Sequence, residues 1–234
     1  MQDVIHERLV EDEGLERVFL PTGGATDDPK RRTSVFVSPD LERKSRVILI
    51  FGETGNPSGI ISGRTVNGPG GINAGSAVSL ARAISRTPDV GFVLLNMGEQ
   101  YWWPEGQRTI TTVMSNAVPL SSAVHMGRRH IPALNCVEGH ADLRGVVTSP
   151  EGHKSPEGHV WEVFEDLVRR RVGLNTKLDI VAMADSCEVV EKFLDKEENW
   201  RKWKPMIGGM VLMGSQCSAE WLQNDNFKDF LAKV

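Results

Sequence analysis

Ile180-Val181-Ala182-Met183, a β-branched and apolar run, leads straight into Ala184-Asp185-Ser186-Cys187-Glu188 and then into a helical pattern carried by Val189, Val190, Phe193 and Leu194. Few arrangements satisfy that succession. An unbroken apolar strand belongs in a parallel sheet buried on both faces, and a helix that follows it at once must fold back over one of those faces. The same alternation recurs along the chain. Arg17 to Leu20 and Ser34 to Ser38 read as short opening strands, Arg46 to Phe51 and Gly91 to Met97 as buried strands, and Met206 to Met213 as a last one. Between them, the spacing of Ala77, Leu80, Ala81 and Ile84 predicts a helix over Asn73 to Arg86 with Asn73 as its N-cap. Ser155-Pro156-Glu157 opens another, with Val160, Trp161, Phe164, Leu167 and Val168 on one face, and Ser218 to Lys233 reads as the last. The pattern predicts one α/β domain over residues 1–234, a mostly parallel sheet with helices on both faces. Residues 1–32 form an N-terminal flank with the opening strand, and residues 98–158 form a long irregular insertion.

A strand, a sharp turn bearing a serine, and a helix are also how an α/β-hydrolase presents its nucleophile, which places Ser186 at the nucleophile position. The pattern is damaged there. The residues two before and two after the serine are normally small, and here they are Ala184 and Glu188. No histidine follows Ser186, whereas the hydrolase order runs serine, acid, histidine. Without a base the hydroxyl keeps its proton and is a poor nucleophile, so Ser186 reads as a vestigial position. The stretch after the central strand, Phe51-Gly52-Glu53-Thr54-Gly55, would supply an oxyanion-hole N–H, yet it carries an acid, and Asp185 and Glu188 add to the conflict. A serine hydrolase or acyltransferase using Ser186, with His159 as an out-of-order base, is the competing reading.

Composition narrows the remaining classes. A net charge of -4 with a pI near 5.9 argues against a surface built for non-specific nucleic-acid binding, and Lys30-Arg31-Arg32 is too short for a phosphate patch. A standalone RNA-binding protein remains as a third reading. The longest apolar run, Val47 to Phe51, is far below the ~20 residues of a membrane span. The first residues lack the basic start and apolar stretch of a secretory signal, which points to the cytosol or nucleus. Cys136, Cys187 and Cys217 are widely spaced and read as reduced, mostly buried thiols. His125, His130, His140, His153 and His159 crowd one region with Cys136, but without metal-ligand spacing, so no metal and no cofactor is expected. The glycine-dense loop Gly52 to Gly71 likewise lacks the order of a phosphate-binding loop.

Tyr101-Trp102-Trp103, directly after a buried strand, is the best candidate surface for a partner. Three adjacent aromatics cannot all face one core, and Arg108, Arg128 and Arg129 lie nearby in sequence, the residue types that dominate binding hot spots.

Several stretches in order resemble one family. Val35-Phe36-Val37-Ser38 with Arg46 through Gly52, Asn96 through Trp103, Ser155 through His159 with Trp161 and Phe164, and the strand into Asp185-Ser186 are similar to the Argonaute-binding-protein-two (Arb-type) domain, from about Val35 to Ser215. Family members are α/β-hydrolase-like. They occur as a subunit of the Argonaute small-RNA chaperone complex, as an animal cotranscriptional regulator that assists nuclear Argonaute, and as the C-terminal domain of fungal class II histone deacetylases. Where relatives keep His-Gly after the central strand and His-Ser-x-Gly-Gly at the elbow, this chain reads Phe51-Gly52 and Asp185-Ser186-Cys187-Glu188. The resemblance implies a non-catalytic interaction module in RNA-directed silencing and heterochromatin, in nucleus and cytoplasm, with Argonaute or histone deacetylase complexes as partners and RNA contacted indirectly.

One expectation concerns the end of the sheet. A hydrolase sheet adds strands after the one that follows the nucleophile helix, so the fold is expected to be incomplete at its C-terminal side. Met206 to Met213 would then be an edge without a guarding charge, open to a homodimer or to the next strand of a longer protein.

Overall fold

A computed structural model describes residues 1–22, 33–99, 101–103, 108–111, 113–114, 155–216 and 219–233. Its elements in chain order are α1 (Gln2–Glu11), β1 (Glu16–Leu20), β2 (Thr33–Val37), β3 (Arg46–Phe51), α2 (Gly63–Val66), α3 (Gly71–Gly75), α4 (Val78–Ser85), β4 (Val90–Leu95), β5 (Tyr101–Trp103) and β6 (Arg108–Ile110). They continue with α5 (Pro156–Glu162), β7 (Lys177–Met183), α6 (Asp185–Leu194), α7 (Glu197–Trp203), β8 (Ile207–Met213) and α8 (Asp225–Leu231). Six strands form one sheet in the order β1-β2-β4-β3-β7-β8. β1 and β2 are antiparallel additions, while β4, β3, β7 and β8 run parallel.

Side chains alternate across the sheet, as the two-residue period of a strand requires. Val47, Leu49 and Phe51 of β3, with Val93 and Leu95 of β4 and Leu178, Ile180 and Ala182 of β7, enter a core shared with α5, α6 and α7. Ile50, Phe92, Leu94 and Met183 face the opposite way, into a second core with α1 and α4. Helices thus cover both faces, which is why the central strands read as unbroken apolar runs. In the first core Phe164 stacks on Phe193 at 4.8 Å between ring centres and meets Trp203 at 5.2 Å.

Several expected boundaries move. The helix expected from Asn73 breaks at Ser76, so that Asn73 lies inside the short α3 and α4 begins at Val78. The Ser76 hydroxyl donates to Ile72 O and accepts from the Val78 N–H, bridging the end of one helix and the start of the next. The Ser155 cap is present, with its hydroxyl accepting from Gly158 N–H at 3.2 Å ahead of Pro156. After Glu162 the same helix widens to a π-helical stretch, Val163–Val168. Trp161 does not join the apolar face and is 56% exposed. The stretch expected as a last helix is divided between a 3-10 turn, Ala219–Trp221, and α8. Among the described residues no helix is long and apolar enough to cross a membrane. Lys30-Arg31-Arg32, Arg128, Arg129, the histidines from His125 to His153, Cys136 and Cys217 lie outside the described residues.

Candidate functional site: a hydrolase elbow and an aromatic hairpin

β3, β4, β7 and β8 end at the same rim of the sheet, where open α/β folds place their ligands. The turn from β7 into α6 is the sharpest feature there. Its left-handed backbone falls on Ala184, at φ 50° and ψ -124°, a conformation that costs an L-residue about 1–3 kcal/mol. Pairing with β8 sets that position, because Ala184 N–H donates to Met213 O at 2.8 Å and Ala184 O accepts from Cys187 N–H at 3.1 Å.

This moves the nucleophile position. The strained residue at the head of the helix is the one whose side chain a hydrolase elbow projects, and here it is Ala184, not Ser186. Ser186 is the small residue two places later, fully buried, and its hydroxyl donates to Gly52 O. Ala182, also buried, is the small residue two places earlier. The elbow therefore meets the small-residue requirement on both sides, and Glu188, which broke it in the sequence reading, is an exposed helical residue paired with Lys192 at 2.6 Å. Signal for this existed in the sequence as Ala182-x-Ala184-x-Ser186. A search for a hydroxyl at the centre of the motif overlooks it.

The acid at the rim also differs from the one expected. Glu53 is exposed and accepts from Asn56 Nδ2 at 2.9 Å. Asp185 is the acid bonded to the loop after β3. Thr54 N–H, on the loop that would contribute to an oxyanion hole, donates to Asp185 Oδ1 at 3.1 Å, and the Thr54 hydroxyl donates to Oδ2. The cavity beneath, lined by Gly52, Ser58, Asn96 and Met183 among others, is about 10 Å³, enough for at most a single water. Cys187 sits deep beside the turn, and burial, with Glu191 nearby, pushes its thiol up to about 11. It is protonated at neutral pH and inert as a nucleophile. His159 is buried on the last turn of α5.

The aromatic residues lie in β5, which pairs with β6 as a separate antiparallel hairpin in the register Tyr101↔Ile110, Trp102↔Thr109 and Trp103↔Arg108. Tyr101 and Trp103 are half-buried. Arg108 lies over the Trp103 ring at 5.7 Å and reaches Asp3 of α1 at 3.5 Å. What roots the hairpin is a residue the sequence reading missed, Glu99, only 2% exposed. Its carboxylate accepts from Ser58 N–H, Asn96 Nδ2 and Thr109 Oγ1, each at 2.9 Å, and from Gln2 Nε2. Four donors from four segments explain how a carboxylate is buried without a cation. Among the described residues no group of three metal-ligating side chains converges.

An elbow whose flanks are small and whose rim lies over a mostly parallel sheet agrees with the family model that matches residues 1–234, that of the Arb2 domain. The chain belongs to the Arb2 domain family. No curated protein and no solved structure matches it. As an Arb2 domain it carries a strained strand-to-helix turn at Ala184, with Asp185 bonded to Thr54 on the loop after β3.

Proposed function

We propose that this Arb2 domain is a non-catalytic interaction module of RNA-directed silencing and heterochromatin formation, working with Argonaute small-RNA or histone deacetylase machinery in nucleus and cytoplasm. Family membership supports the silencing role. The observation that carries the non-catalytic part is Ala184 at the elbow, since a methyl group offers no lone pair for attack. Asp185 on the oxyanion donors and the near absence of free volume argue the same way. Tyr101, Trp102 and Trp103 form the partner surface, and RNA is reached through the partner. The uncharged edge of β8, with Val211 53% and Met213 44% exposed, pairs with a second copy.

Affinity purification of the tagged protein with mass spectrometry tests the reading. Argonaute or histone deacetylase subunits are expected with the wild type and are depleted with Trp103→Ala. A fluorophosphonate probe should leave the wild type unlabelled. Labelling that vanishes in Ser186→Ala would refute the non-catalytic assignment, and a strictly monomeric protein at high concentration in analytical ultracentrifugation would refute the β8 pairing.

A further inference from the structure

The loop from Gly52 to Ser58 crosses the rim between the elbow and the hairpin, and it is tied down at both ends. On the elbow side, Gly52 O accepts from Ser186 Oγ, and Thr54 donates through both N–H and hydroxyl to Asp185. At the other end, Ser58 N–H donates to Glu99 at 2.9 Å, and Ser58 O accepts from His6 Nε2 at 3.1 Å. Between these ties there is little slack. Asn56 N–H donates back to Glu53 O at 3.3 Å, and Gly98 lies so close beneath that any side chain there would run into the Thr54 and Asn56 carbonyl oxygens. Glu99 then passes the constraint to β6 through the Thr109 hydroxyl at 2.9 Å.

We propose that Asp185, set where a hydrolase would bind an oxyanion, is a positioning residue for the aromatic hairpin, acting through Thr54, Ser58 and Glu99. The Thr54 donors thereby anchor an internal carboxylate, and the loop they hold supports Tyr101 to Trp103. The inference rests on the reading of that hairpin as the partner surface for its significance, but its test needs no partner. Failure of one is thus distinguishable from failure of the other.

Amide hydrogen exchange on the full chain provides that test. In Asp185→Ala the amides of Thr54 and Ser58 and those of Tyr101–Trp103 and Arg108–Ile110 should exchange about tenfold faster, while β1 and β2 keep their protection. Asp185→Asn retains an acceptor for Thr54 N–H and can donate to the Thr54 hydroxyl, so it should stay within about threefold of wild type. Thr54→Val removes one of the two bonds and should shift the same amides less, and adding it to Asp185→Ala should produce no further change. Unchanged hairpin exchange in Asp185→Ala would overturn the proposal. So would additive effects of the two substitutions, or faster exchange spread equally over β1 and β2.

Discussion

The elbow and the hairpin sit on one rim and are built on opposite terms. The β7–α6 turn holds an unfavourable backbone at Ala184 because strands on both sides of β7 and a 2.8 Å bond to Met213 leave it no alternative. Its shape is kept by the sheet. The β5–β6 hairpin carries two half-buried aromatics and an arginine, yet among the described residues it has three paired positions and is separate from the main sheet. A hairpin that short is not stable alone. Its order comes from Glu99. The comparison teaches that in this molecule strained backbone geometry is held by the sheet, while the aromatic and arginine side chains sit on a separate hairpin tied to it through Glu99.

Substitutions can break that contrast, and the largest effect is expected at the tether. Glu99→Ala leaves Ser58 N–H, Asn96 Nδ2 and Thr109 Oγ1 without an acceptor in a buried site. A loss of about 3–5 kcal/mol in urea denaturation is expected from removing a buried charged acceptor. A loss under about 1 kcal/mol would show that water replaces it readily.

Recognition comes next. Trp103→Ala should weaken capture of the partner by about 2 kcal/mol, measured as dissociation constant, with the thermal midpoint nearly unchanged. A drop in stability that accounts for the whole binding defect would make the ring a core element.

At the elbow the expected effect is smaller and of opposite sign. Ala184→Gly relieves the left-handed backbone, offset by the entropy glycine adds to the unfolded chain, so a net gain of about 0.5–1 kcal/mol is expected in equilibrium unfolding. Destabilisation instead would mean that the methyl group packs to advantage.

The smallest effect is a pH dependence at the seam between the two regions. Burial, more than any other cause, lowers the His6 pKa below 6.5, against the opposing pull of Glu99. Since the folded value lies below the unfolded one, the contribution is fully present above about pH 6.5 and is lost as pH falls from there toward the folded value. Wild type should therefore lose more thermal stability than His6→Gln between about pH 7.5 and about pH 5.5, a window that brackets the histidine range. Equal losses would remove His6 from the clamp on Ser58.

Much of the fold was legible because strand and helix leave periodic marks on a chain. The runs Arg46 to Phe51 and Ile180 to Met183 are buried on both faces, and Ser155-Pro156 is a local cap whose chemistry needs nothing distant. The family, too, was readable from the order of short stretches. α1 was missed, and Trp161 was misplaced onto the buried face, because helical spacing alone does not say how wide a stripe the neighbouring helices will cover. The elbow register was misread by two residues, since the end of β7 is settled by pairing with β3 and β8 and not by the residues of the turn.

The chain by itself determined that a parallel-stranded α/β domain with a strand-turn-helix elbow would form, because apolar periodicity and turn residues act over a few positions. Only the tertiary structure decided that Ala184 takes the strained place, that Asp185 meets Thr54 from 131 positions away, and that Glu99 gathers donors as far apart as Gln2 and Thr109. Those contacts join segments whose separation in sequence carries no local signal, and a buried carboxylate becomes tolerable only when every donor arrives.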